Sequence, residues 1–582
     1  MKTKLLLASF ILPFSMLAQA QQQGKQASLN PDGTFSVETI DLPYNSQPRQ
    51  NSNFDLLWRY GNVADMTFKN TRGVTLADLD NDGKEEVIYG IKNTLYAFKG
   101  DGSILWQRTL SGVITLPPTA VDLDGDGSVE IVLNTGGVPP AGRVYLMDAQ
   151  GNDLPGWPLN FENHWMINAP AVADLNGDGI MEIITGERIS SNVGHVHAIK
   201  MDGTPINDNW PVTINATPAF TPSIGDVNGD GEPNIVIAAS QGTMYVFNME
   251  GENIPGFPVT TPNISYSYQS PILADLDGQG KLSIIGSNHG DNPGFYVMEY
   301  DGTYRDGWPI PLEGWTYSPP TVVDWNEDGM LEIFMSDRLT NIDRSPRPTI
   351  YGFDPGGELL PHFPIDVSGG TEGVISVADV NNDGVMDLIF PSTITDDDGY
   401  GYIHAYSMDG SGAVDGFPLR PFGFTFMNGA VLGDVDGDGQ LDITYNSYTL
   451  FDASGIDSTW VQVRNLNVPY NPDKILRNGY KGDNTRDGLV AEDDVIGIAN
   501  NNLLPGIRIF PNPSEGILRF NLATSIQNAS ISLYSIDGKL IYSKKETLSS
   551  STTLDFRHMA KGLYIVKVSD GNRNFVDKWV LN

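Results

Sequence analysis

The sequence contains no cysteine and comparatively few basic residues. The absence of Cys among 582 residues excludes disulfides, cysteine nucleophiles and Cys-ligated zinc. Lys and Arg number 35 against 72 Asp and Glu, which gives a net charge of −37. This balance argues against nucleic acid as a partner, because phosphate binding needs clustered Lys and Arg. Because only 18% of the residues are charged and 40% are hydrophobic, the composition predicts a globular chain.

Long apolar runs are also missing, apart from one at the N-terminus. Two lysines precede the apolar residues 5–17, a run too short to cross a membrane comfortably, and residues 18–20 form an Ala-Gln-Ala cleavage pattern. We therefore predict a signal peptide at 1–20 and an N-terminal extension at 21–52, with a buried N-terminal helix as the alternative. No later segment is apolar and long enough for a transmembrane helix, so we expect no transmembrane segment.

An acidic pattern, D-x-[D/N]-x-D-G-x-x-[D/E], recurs eight times with some lapses. Its copies begin at Asp78, Asp122, Asp174, Asp226, Asp275, Asp324, Asp379 and Asp434. The spacing of 44 to 55 residues is typical of a propeller, a solenoid or an array. Because no segment keeps a 3.6-residue period, a helical solenoid is disfavoured.

The residues around each acidic copy predict the strands of a propeller blade. A β-like stretch precedes the copy, two follow it, and an aromatic-Pro pair such as Trp157-Pro158 then marks a fourth strand. An additional aromatic segment, Phe54 to Tyr60, is predicted to complete the last blade and close the ring. We expect an all-β fold with a β-propeller at 53–481. Eight blades are favoured, and seven plus one divergent unit is the alternative.

The last part of the chain differs in charge and pattern. Residues 505–582 carry ten Lys and Arg against six Asp and Glu, a net charge of +4. Short alternating strands separated by Asp-Gly and Lys-Gly turns predict a small C-terminal β-sandwich. We assign 482–504 to a polar linker. The alternative is that Gly482 to Val490, with Asp494, forms a dockerin-like calcium loop.

The acidic copies have the spacing of a calcium-binding loop. Side chains at positions 1, 3, 5 and 9 and the carbonyl at position 7 supply oxygen ligands, and glycine at position 6 permits a sharp turn. An all-oxygen, carboxylate-rich cage favours Ca²⁺ over Mg²⁺, and zinc would need His or Cys. The alternative is a set of Asp-Gly turns without metal.

We predict several structural Ca²⁺ ions but little or none at Asp275, where the copy has Gln279 and Ser283 at positions 5 and 9. The predicted metal-site residues are Asp78, Asp80, Asp82, Lys84, Glu86, Asp122, Asp124, Asp126, Ser128, Glu130, Asp174, Asn176, Asp178, Ile180, Glu182, Asp226, Asn228, Asp230, Glu232, Asp324, Asn326, Asp328, Met330, Glu332, Asp379, Asn381, Asp383, Val385, Asp387, Asp434, Asp436, Asp438, Gln440 and Asp442.

Two resemblances follow from these motifs. The repeat, over about Phe54 to Lys481, resembles the FG-GAP/VCBS family of calcium-loop propellers found in integrin α-chains and bacterial surface proteins. This implies calcium binding and adhesion or ligand recognition. The C-terminal motifs, including Phe510 to Gly516 and Lys561 to Val568, resemble the type IX secretion sorting domain of Bacteroidota. This implies contact with the secretion machinery and export to the cell surface or outside.

The sequence contains no G-x-S-x-G, H-E-x-x-H or P-loop motif, and the many loop carboxylates mask any acidic pair of the glycosidase kind. The seven His residues include His195 and His197 on one strand face, a possible metal pair, but His197 occupies a slot held by Tyr in other repeats. We therefore interpret it as a packing residue and assign no catalytic residue. Aromatic residues between the blade strands are candidates for a carbohydrate platform: Trp165, Tyr266, Tyr268, Trp315 and Tyr317.

The favoured function is a secreted or surface calcium-binding propeller, not an enzyme, that binds a glycan or protein ligand. One alternative is a polysaccharide-degrading, lyase-like enzyme on a calcium-rich propeller. Another is a purely structural surface-layer component. A fold of this kind hosts many functions, so the sequence does not identify the ligand.

Overall fold

The chain divides into two compact units, residues 1–497 and 498–582. The computed structural model describes residues 23–29, 35–41, 54–63, 69–136, 142–161, 164–218, 221–266, 270–326, 328–337, 346–449 and 458–490 of the first unit, and residues 508–510, 514, 516–522, 525–535, 539–549, 552–559, 561–569 and 574–581 of the second. The predicted signal peptide and residues 491–504 of the predicted linker lie outside these residues.

The first unit is a β-propeller, in agreement with the all-β prediction. Its described residues include eight antiparallel sheets with the same four-strand order, numbered here 1 to 8 along the chain. Sheets 1 to 4 comprise Thr75–Ala77, Glu86–Ile91, Thr94–Phe98 and Ile104–Thr109; Thr119–Val121, Glu130–Thr135, Arg143–Met147 and Leu159–Asn160; Ala171–Ala173, Glu182–Arg188, Gly194–Ile199 and Val212–Ile214; and Ser223–Gly225, Asn234–Ala239, Thr243–Phe247 and Val259–Thr260. Sheets 5 to 8 comprise Ile272–Ala274, Ser283–Gly290, Gly294–Met298 and Ile310–Pro311; Thr321–Val323, Glu332–Ser336, Arg347–Phe353 and Ile365–Val367; Ser376–Ala378, Asp387–Pro391, Ile403–Ser407 and Gly412–Ala413; and Val431–Gly433, Gln440–Tyr448, Ser458–Pro469 and Asp55–Val63. The blade number itself stays a prediction.

Further strands extend this pattern. Gln23–Leu29 pairs with Phe35–Asp41 and with Ile394–Asp396, while Ile264–Ser265 pairs with the second strand of sheet 5. Three short 3₁₀ helices span Ser240–Gly242, Pro472–Lys474 and Tyr480–Gly482. No helix in the described residues is apolar and long enough to cross a membrane.

Burial differs between the inner and outer strands of a sheet. Every residue of Glu86–Ile91, the second strand of sheet 1, is buried, whereas no residue of Ile104–Thr109, the fourth strand, is fully buried. Because the second strand packs against neighbouring sheets on both faces, its apolar residues form a continuous run and do not alternate with polar residues. The hydrophobic core therefore lies between successive sheets.

The ring is closed by the strand that precedes sheet 1 in the chain. Asp55–Val63 pairs antiparallel with Ser458–Pro469 and becomes the fourth strand of sheet 8. This confirms the prediction for Phe54 to Tyr60. The indole nitrogen of Trp58 then donates a hydrogen bond of 2.9 Å to the carbonyl of Gly100, which joins sheet 8 to sheet 1.

The same indole contact recurs around the propeller. Trp106, Trp157, Trp210 and Trp308 each donate to a backbone carbonyl of the following sheet, over 2.7 to 3.1 Å. A tryptophan can fill the space between two sheets and also satisfy a buried carbonyl, because one edge of its ring is a donor. The aromatic-Pro pairs predicted from sequence therefore also mark contacts between sheets.

The centre of the propeller contains residues 471–490, which follow the last sheet. Ile475–Arg477 pairs with the first strand of sheet 7, and Leu489–Val490 pairs with the first strand of sheet 5. The backbone N–H groups of Val172 and Ile224, on the first strands of sheets 3 and 4, donate to the carbonyls of Thr485 and Asp487 over 2.9 and 3.0 Å. These first strands would otherwise leave buried donors unpaired along the axis.

Residues 482–490 are therefore part of the propeller, and our linker prediction does not hold for them. The segment was assigned to a linker because its Asp, Asn and Gly residues are typical of exposed turns. Its polar groups are instead paired inside the ring. The fully buried Arg486 donates to the carbonyls of Tyr480 and Asp483, both over 2.6 Å, and to Thr75 Oγ1. The buried Lys481 donates to Pro222 O and to the Ser223 hydroxyl.

The second unit is a small β-sandwich, as predicted. One sheet contains Arg508–Phe510, Ile517–Asn521 and Thr553–Asp555, and the other contains Leu540–Leu548, Ile526–Ser535, Gly562–Ser569 and Asn574–Leu581. Residues of both sheets, including Phe520, Val566 and Trp579, form one core. Gly516 has φ +99°, and a Cβ there would lie 2.7 Å from Arg557 Cα. Glycine is thus required at the end of the predicted sorting motif.

The central segment generates a stability prediction. Replacing Arg486 by Met should lower the free energy of unfolding by about 2–4 kcal/mol, because buried carbonyls lose their donors. Chemical denaturation in calcium-containing buffer measures this change. The exposed Arg59, replaced by Met, is the control and should change stability by less than about 0.5 kcal/mol. Equal stability of the two variants would contradict the structural role given to Arg486.

Candidate metal-binding loops and a histidine cluster

Each acidic copy forms the connection between the first and second strands of its sheet, as predicted. In the loop at Asp122, that carboxylate accepts hydrogen bonds from the backbone N–H groups of Asp126 and Gly127, over 3.1 and 2.8 Å. The contact between aspartate 1 and the N–H of glycine 6 is present in all eight loops, at 2.5 to 2.9 Å. The first aspartate therefore shapes the turn through both oxygens of its carboxylate, since Asp126 N–H donates to Oδ1 of Asp122 and Gly127 N–H donates to Oδ2.

The glycine at position 6 is required by backbone conformation. Its φ lies between +70° and +92° in the eight loops, a region that favours glycine. A Cβ at any of these positions would meet no heavy atom within 4 Å, so space alone would allow a larger residue. The prediction that glycine permits a sharp turn is confirmed.

Position 9 begins the second strand and returns its side chain to the loop. Glu86, Glu130 and Glu182 each accept a hydrogen bond of 2.9 Å from the backbone N–H of position 2. Asn234, Glu332, Asp387 and Asp442 make the equivalent contact over 2.9 to 3.4 Å. This bond uses one side-chain oxygen and fixes the direction of the carboxylate.

Three loops bring carboxylates together tightly enough to hold a cation. In the loops at Asp78, Asp122 and Asp434, ligand atoms from positions 1, 3 and 9 all lie within 4.8 Å of one another. These are the loops with four carboxylates in the sequence. The carboxylates at position 5, such as Asp126, are exposed and accept the N–H of position 7. Their role as ligands, and that of the carbonyl at position 7, stays a prediction.

The electrostatics of these loops disfavour several negative charges without a cation. Burial, followed by the charges of Asp124, Asp122 and Asp126, raises the pKa of Glu130 to about 7. Burial and neighbouring carboxylates likewise raise the pKa of Glu86 and Asp442 to about 7 and that of Glu332 to about 8. A bound divalent cation would offset this repulsion and favour the ionised form.

The other loops differ in ways that the sequence anticipates. Asn at position 3 donates to a loop carboxylate, as Asn176 does to Glu182 over 2.8 Å. In the loop at Asp275, the position-9 residue Ser283 donates instead to Glu299, which lies on another part of the sheet. Asp277, at position 3, forms an ion pair with Arg305. The guanidinium group of Arg305 thus lies against this loop, at which we predict little or no calcium.

A second cluster lies at the other end of a second strand. Glu187, near the end of Glu182–Arg188, is 3% exposed and contacts His164, His195 and His197. His197 pairs with Thr185, the same register position at which Tyr145 pairs with Leu133 in sheet 2. His197 thus occupies the tyrosine register, as predicted, but its imidazole also contacts Glu187. The sequence analysis missed Glu187 and His164.

His404, the other histidine in the tyrosine slot, has no such carboxylate. It packs with Phe390, Tyr402 and Tyr406 at ring-centroid distances of 5.3 to 6.2 Å. Burial, and then the charge of Arg420, lowers its pKa to about 3. His404 is therefore a neutral packing residue, which distinguishes it from His197.

The candidate residues for a carbohydrate platform are buried or half-buried wherever the structure describes them. Tyr266 and Tyr317 are buried, Trp165 and Trp315 are half-buried, and Tyr268 lies outside the described residues. Tyr266 and Tyr317 belong to hydrophobic clusters, and Trp315 packs against the cluster that contains Tyr317. A cleft of about 400 Å³ lies instead between sheets 1 and 2. It is lined by Trp106, Gln107, Arg108, Gln150, Gly151, Asn152 and Asp153.

Comparison with known families identifies two segments. A model of FG-GAP-like repeats matches residues 122–185, which include the loops at Asp122 and Asp174. A model of the secretion system C-terminal sorting domain matches residues 508–582. The chain contains an FG-GAP-like repeat and a C-terminal sorting domain of the type IX secretion system. Both resemblances seen in the sequence are confirmed, and the sorting domain indicates export to the cell surface or outside.

More distant similarities cover part of the chain. Cartilage acidic protein 1 of Xenopus tropicalis is 24% identical over 380 residues, covering 54% of this chain and 56% of that protein. The chain thus spans about half the length of that relative. The biofilm matrix protein Bap1 of V. cholerae has a TM-score of 0.48 and 14% identity, covering 73% of this chain and 94% of that one. The Dos1 propeller has a TM-score of 0.38 and 10% identity, with coverages of 72% and 96%.

Proposed function

We propose that this exported propeller binds Ca²⁺ through its acidic loops and acts as a non-enzymatic module that binds a glycan or protein at the cell surface. The observation that carries the calcium proposal is the convergence of three carboxylates at positions 1, 3 and 9 of the loops at Asp78, Asp122 and Asp434. The raised pKa of the carboxylate at position 9, caused first by burial and then by the neighbouring carboxylates, supports it, because a bound cation favours the ionised form.

The donor set favours calcium among the common divalent ions. All side-chain donors in these three clusters are carboxylate oxygens, which Ca²⁺ accepts in flexible six- to eight-fold coordination. Mg²⁺ demands stricter octahedral geometry and retains water, while zinc sites in proteins use His or Cys. The loop at Asp122 is a stronger candidate than the loop at Asp78, because there the ammonium group of Lys99 already contacts Asp80 over 2.9 Å.

Calcium would replace the cross-links that a chain without cysteine cannot form. Extracellular sites bind with dissociation constants of roughly 10⁻⁴ to 10⁻³ M. With a Kd of about 0.1 mM and calcium at about 1 mM, each site contributes roughly 1.4 kcal/mol to the free energy of unfolding. Three such sites give about 4 kcal/mol, a substantial fraction of the net stability of a typical domain.

Removing the position-3 carboxylates tests this proposal. A triple variant, Asp80→Asn, Asp124→Asn and Asp436→Asn, places in these loops the amide that Asn176 already provides in another loop. If each Kd rises roughly tenfold, stabilisation by calcium at about 1 mM falls by about 3 kcal/mol in total. Denaturation with calcium and with EDTA measures the difference, and calcium analysis of the dialysed protein gives the stoichiometry.

A matched control removes the same charge elsewhere. Asp101, Asp148 and Asp202 shape turns between the third and fourth strands of sheets 1 to 3 by accepting backbone N–H groups. Their replacement by Asn should leave the calcium-dependent stabilisation unchanged. If the control loses as much stabilisation as the loop variant, or if wild type binds no calcium, the calcium proposal is wrong.

The filled centre of the propeller supports a binding role. Residues 471–490 hydrogen-bond to the first strands of several sheets, so the axis does not offer a substrate channel along that segment. The cleft between sheets 1 and 2 combines the half-buried Trp106 with the exposed Gln107 and Asn152. An aromatic face beside amide groups is suited to a sugar or a polar peptide.

Ligand capture tests the binding proposal. The purified protein is incubated with insoluble polysaccharides and with extracellular matrix proteins, in calcium and in EDTA. We expect retention by one ligand class, with less retention in EDTA if calcium holds the binding surface in shape. A Gln107→Ala and Asn152→Ala variant should lose retention while its unfolding curve remains that of wild type.

Three results would change the conclusion. Release of reducing or unsaturated ends from a polysaccharide would establish an enzyme and contradict the non-enzymatic assignment. Retention by the double variant would place the ligand outside the cleft. If no ligand retains a protein that calcium stabilises against heat, the loops are structural only and the adhesion proposal is wrong.

A further inference from the structure

Three of the seven histidines of the chain surround one buried carboxylate. Glu187 Oε2 lies 3.1 Å from His195 Nδ1 and 2.7 Å from His197 Nε2, while Glu187 Oε1 contacts His164 Nδ1. Ligand atoms of Glu187, His195 and His197 all lie within 4.8 Å of one another. Packing at the position held by Tyr in other sheets does not require three imidazoles around one carboxylate.

The arrangement departs from the repeat at two positions. Glu187 follows the position-9 residue of its loop by five residues, where sheets 1, 2 and 4 carry Ile91, Thr135 and Ala239. His195 lies directly opposite Glu187 in the antiparallel pairing of the second and third strands. A buried charge at a site that is apolar or neutral in sheets 1, 2 and 4 needs compensation.

We propose that Glu187, His195 and His197 bind a divalent transition-metal ion, with Zn²⁺ as the preferred ion and His164 orienting the carboxylate. Two imidazole nitrogens and one carboxylate oxygen form a donor set that zinc uses in proteins, with a fourth position for water. Calcium takes oxygen ligands and would not select this set. His164 contacts the second carboxylate oxygen and restricts its rotation, as outer partners do at metal sites.

The distances require only a small adjustment. Zinc bonds of about 2.0–2.1 Å in a tetrahedron place neighbouring ligand atoms roughly 3.3 Å apart. The present separations of 3.1 and 2.7 Å from Glu187 Oε2 are within 1 Å of that value. The site is also reachable, because the side chains of His195 and His164 remain 29% and 39% exposed.

The cluster is separate from the acidic loops. The loop at Asp174 ends where the second strand of sheet 3 begins, at Glu182, whereas Glu187 lies near the other end of that strand. Phe161 packs edge-on against His197, with a ring-centroid distance of 5.0 Å, and limits movement of this imidazole. One sheet thus has an acidic loop at one end and a mixed nitrogen-oxygen cluster at the other.

Zinc and cobalt binding to the purified protein test this inference. Excess calcium is kept in all buffers, so that the acidic loops do not compete. We expect one equivalent of zinc per chain after dialysis, and a visible d–d absorption typical of four-coordinate Co²⁺ when cobalt replaces it. His197→Tyr inserts the residue that Tyr145 and Tyr245 provide in other sheets, so the fold is retained while zinc affinity falls at least about 10-fold.

Two further variants distinguish this site from other zinc binding. Glu187→Gln preserves shape and should reduce affinity as strongly as His197→Tyr. His362→Gln removes an exposed histidine elsewhere and should leave zinc and cobalt binding unchanged. The proposal is wrong if wild type binds no zinc in calcium, if Co²⁺ gives no four-coordinate spectrum, or if both Glu187→Gln and His197→Tyr bind zinc as wild type does.

Discussion

One antiparallel pairing, between Asp55–Val63 and Ser458–Pro469, joins the two ends of the propeller. Each sheet packs against the next, so the first and last sheets would expose apolar faces if this pairing did not form. Trp58 illustrates the consequence, because it shares a core with Val87 and Phe98 of sheet 1 and with Val461 of sheet 8. The core of sheet 1 therefore depends on residues nearly 400 positions away in the chain.

The central segment satisfies a complementary requirement. The first strands of the sheets meet around the axis of the propeller. Water cannot easily reach their backbone N–H groups there. Residues after the last sheet supply carbonyls to Val172, Ile224 and Leu273, over 2.8 to 3.0 Å. Because Arg486 bonds to backbone of its own segment and to Thr75 in sheet 1, it joins the last part of the propeller chain to the first sheet.

Repetition explains why the fold was predictable and why two features were not. The acidic copies and aromatic-Pro pairs recur along the chain, so the sequence alone indicates the repeat length and the four-strand unit. Residues 482–490 have no repeated counterpart in the chain. Their Asp, Asn and Gly residues are typical of turns, whether the segment pairs with water or with the backbone of the inner strands. Glu187 also occurs once, and only strand register places it opposite His195 and beside His197. Single contacts between distant residues leave no period in the sequence.

The loop geometry distinguishes the contacts that shape the turn from the carboxylates that would bind calcium. The bond from glycine 6 to aspartate 1 is present in the loop at Asp275 as well as in the loop at Asp122, although only the latter gathers three carboxylates. Turn shape therefore comes from backbone hydrogen bonds and positive φ, and does not require the additional carboxylates. Burial is the main cause of the raised pKa of Glu130, and those carboxylates add to it. A cation at Asp122 would act mainly by compensating charge in a loop that is already shaped.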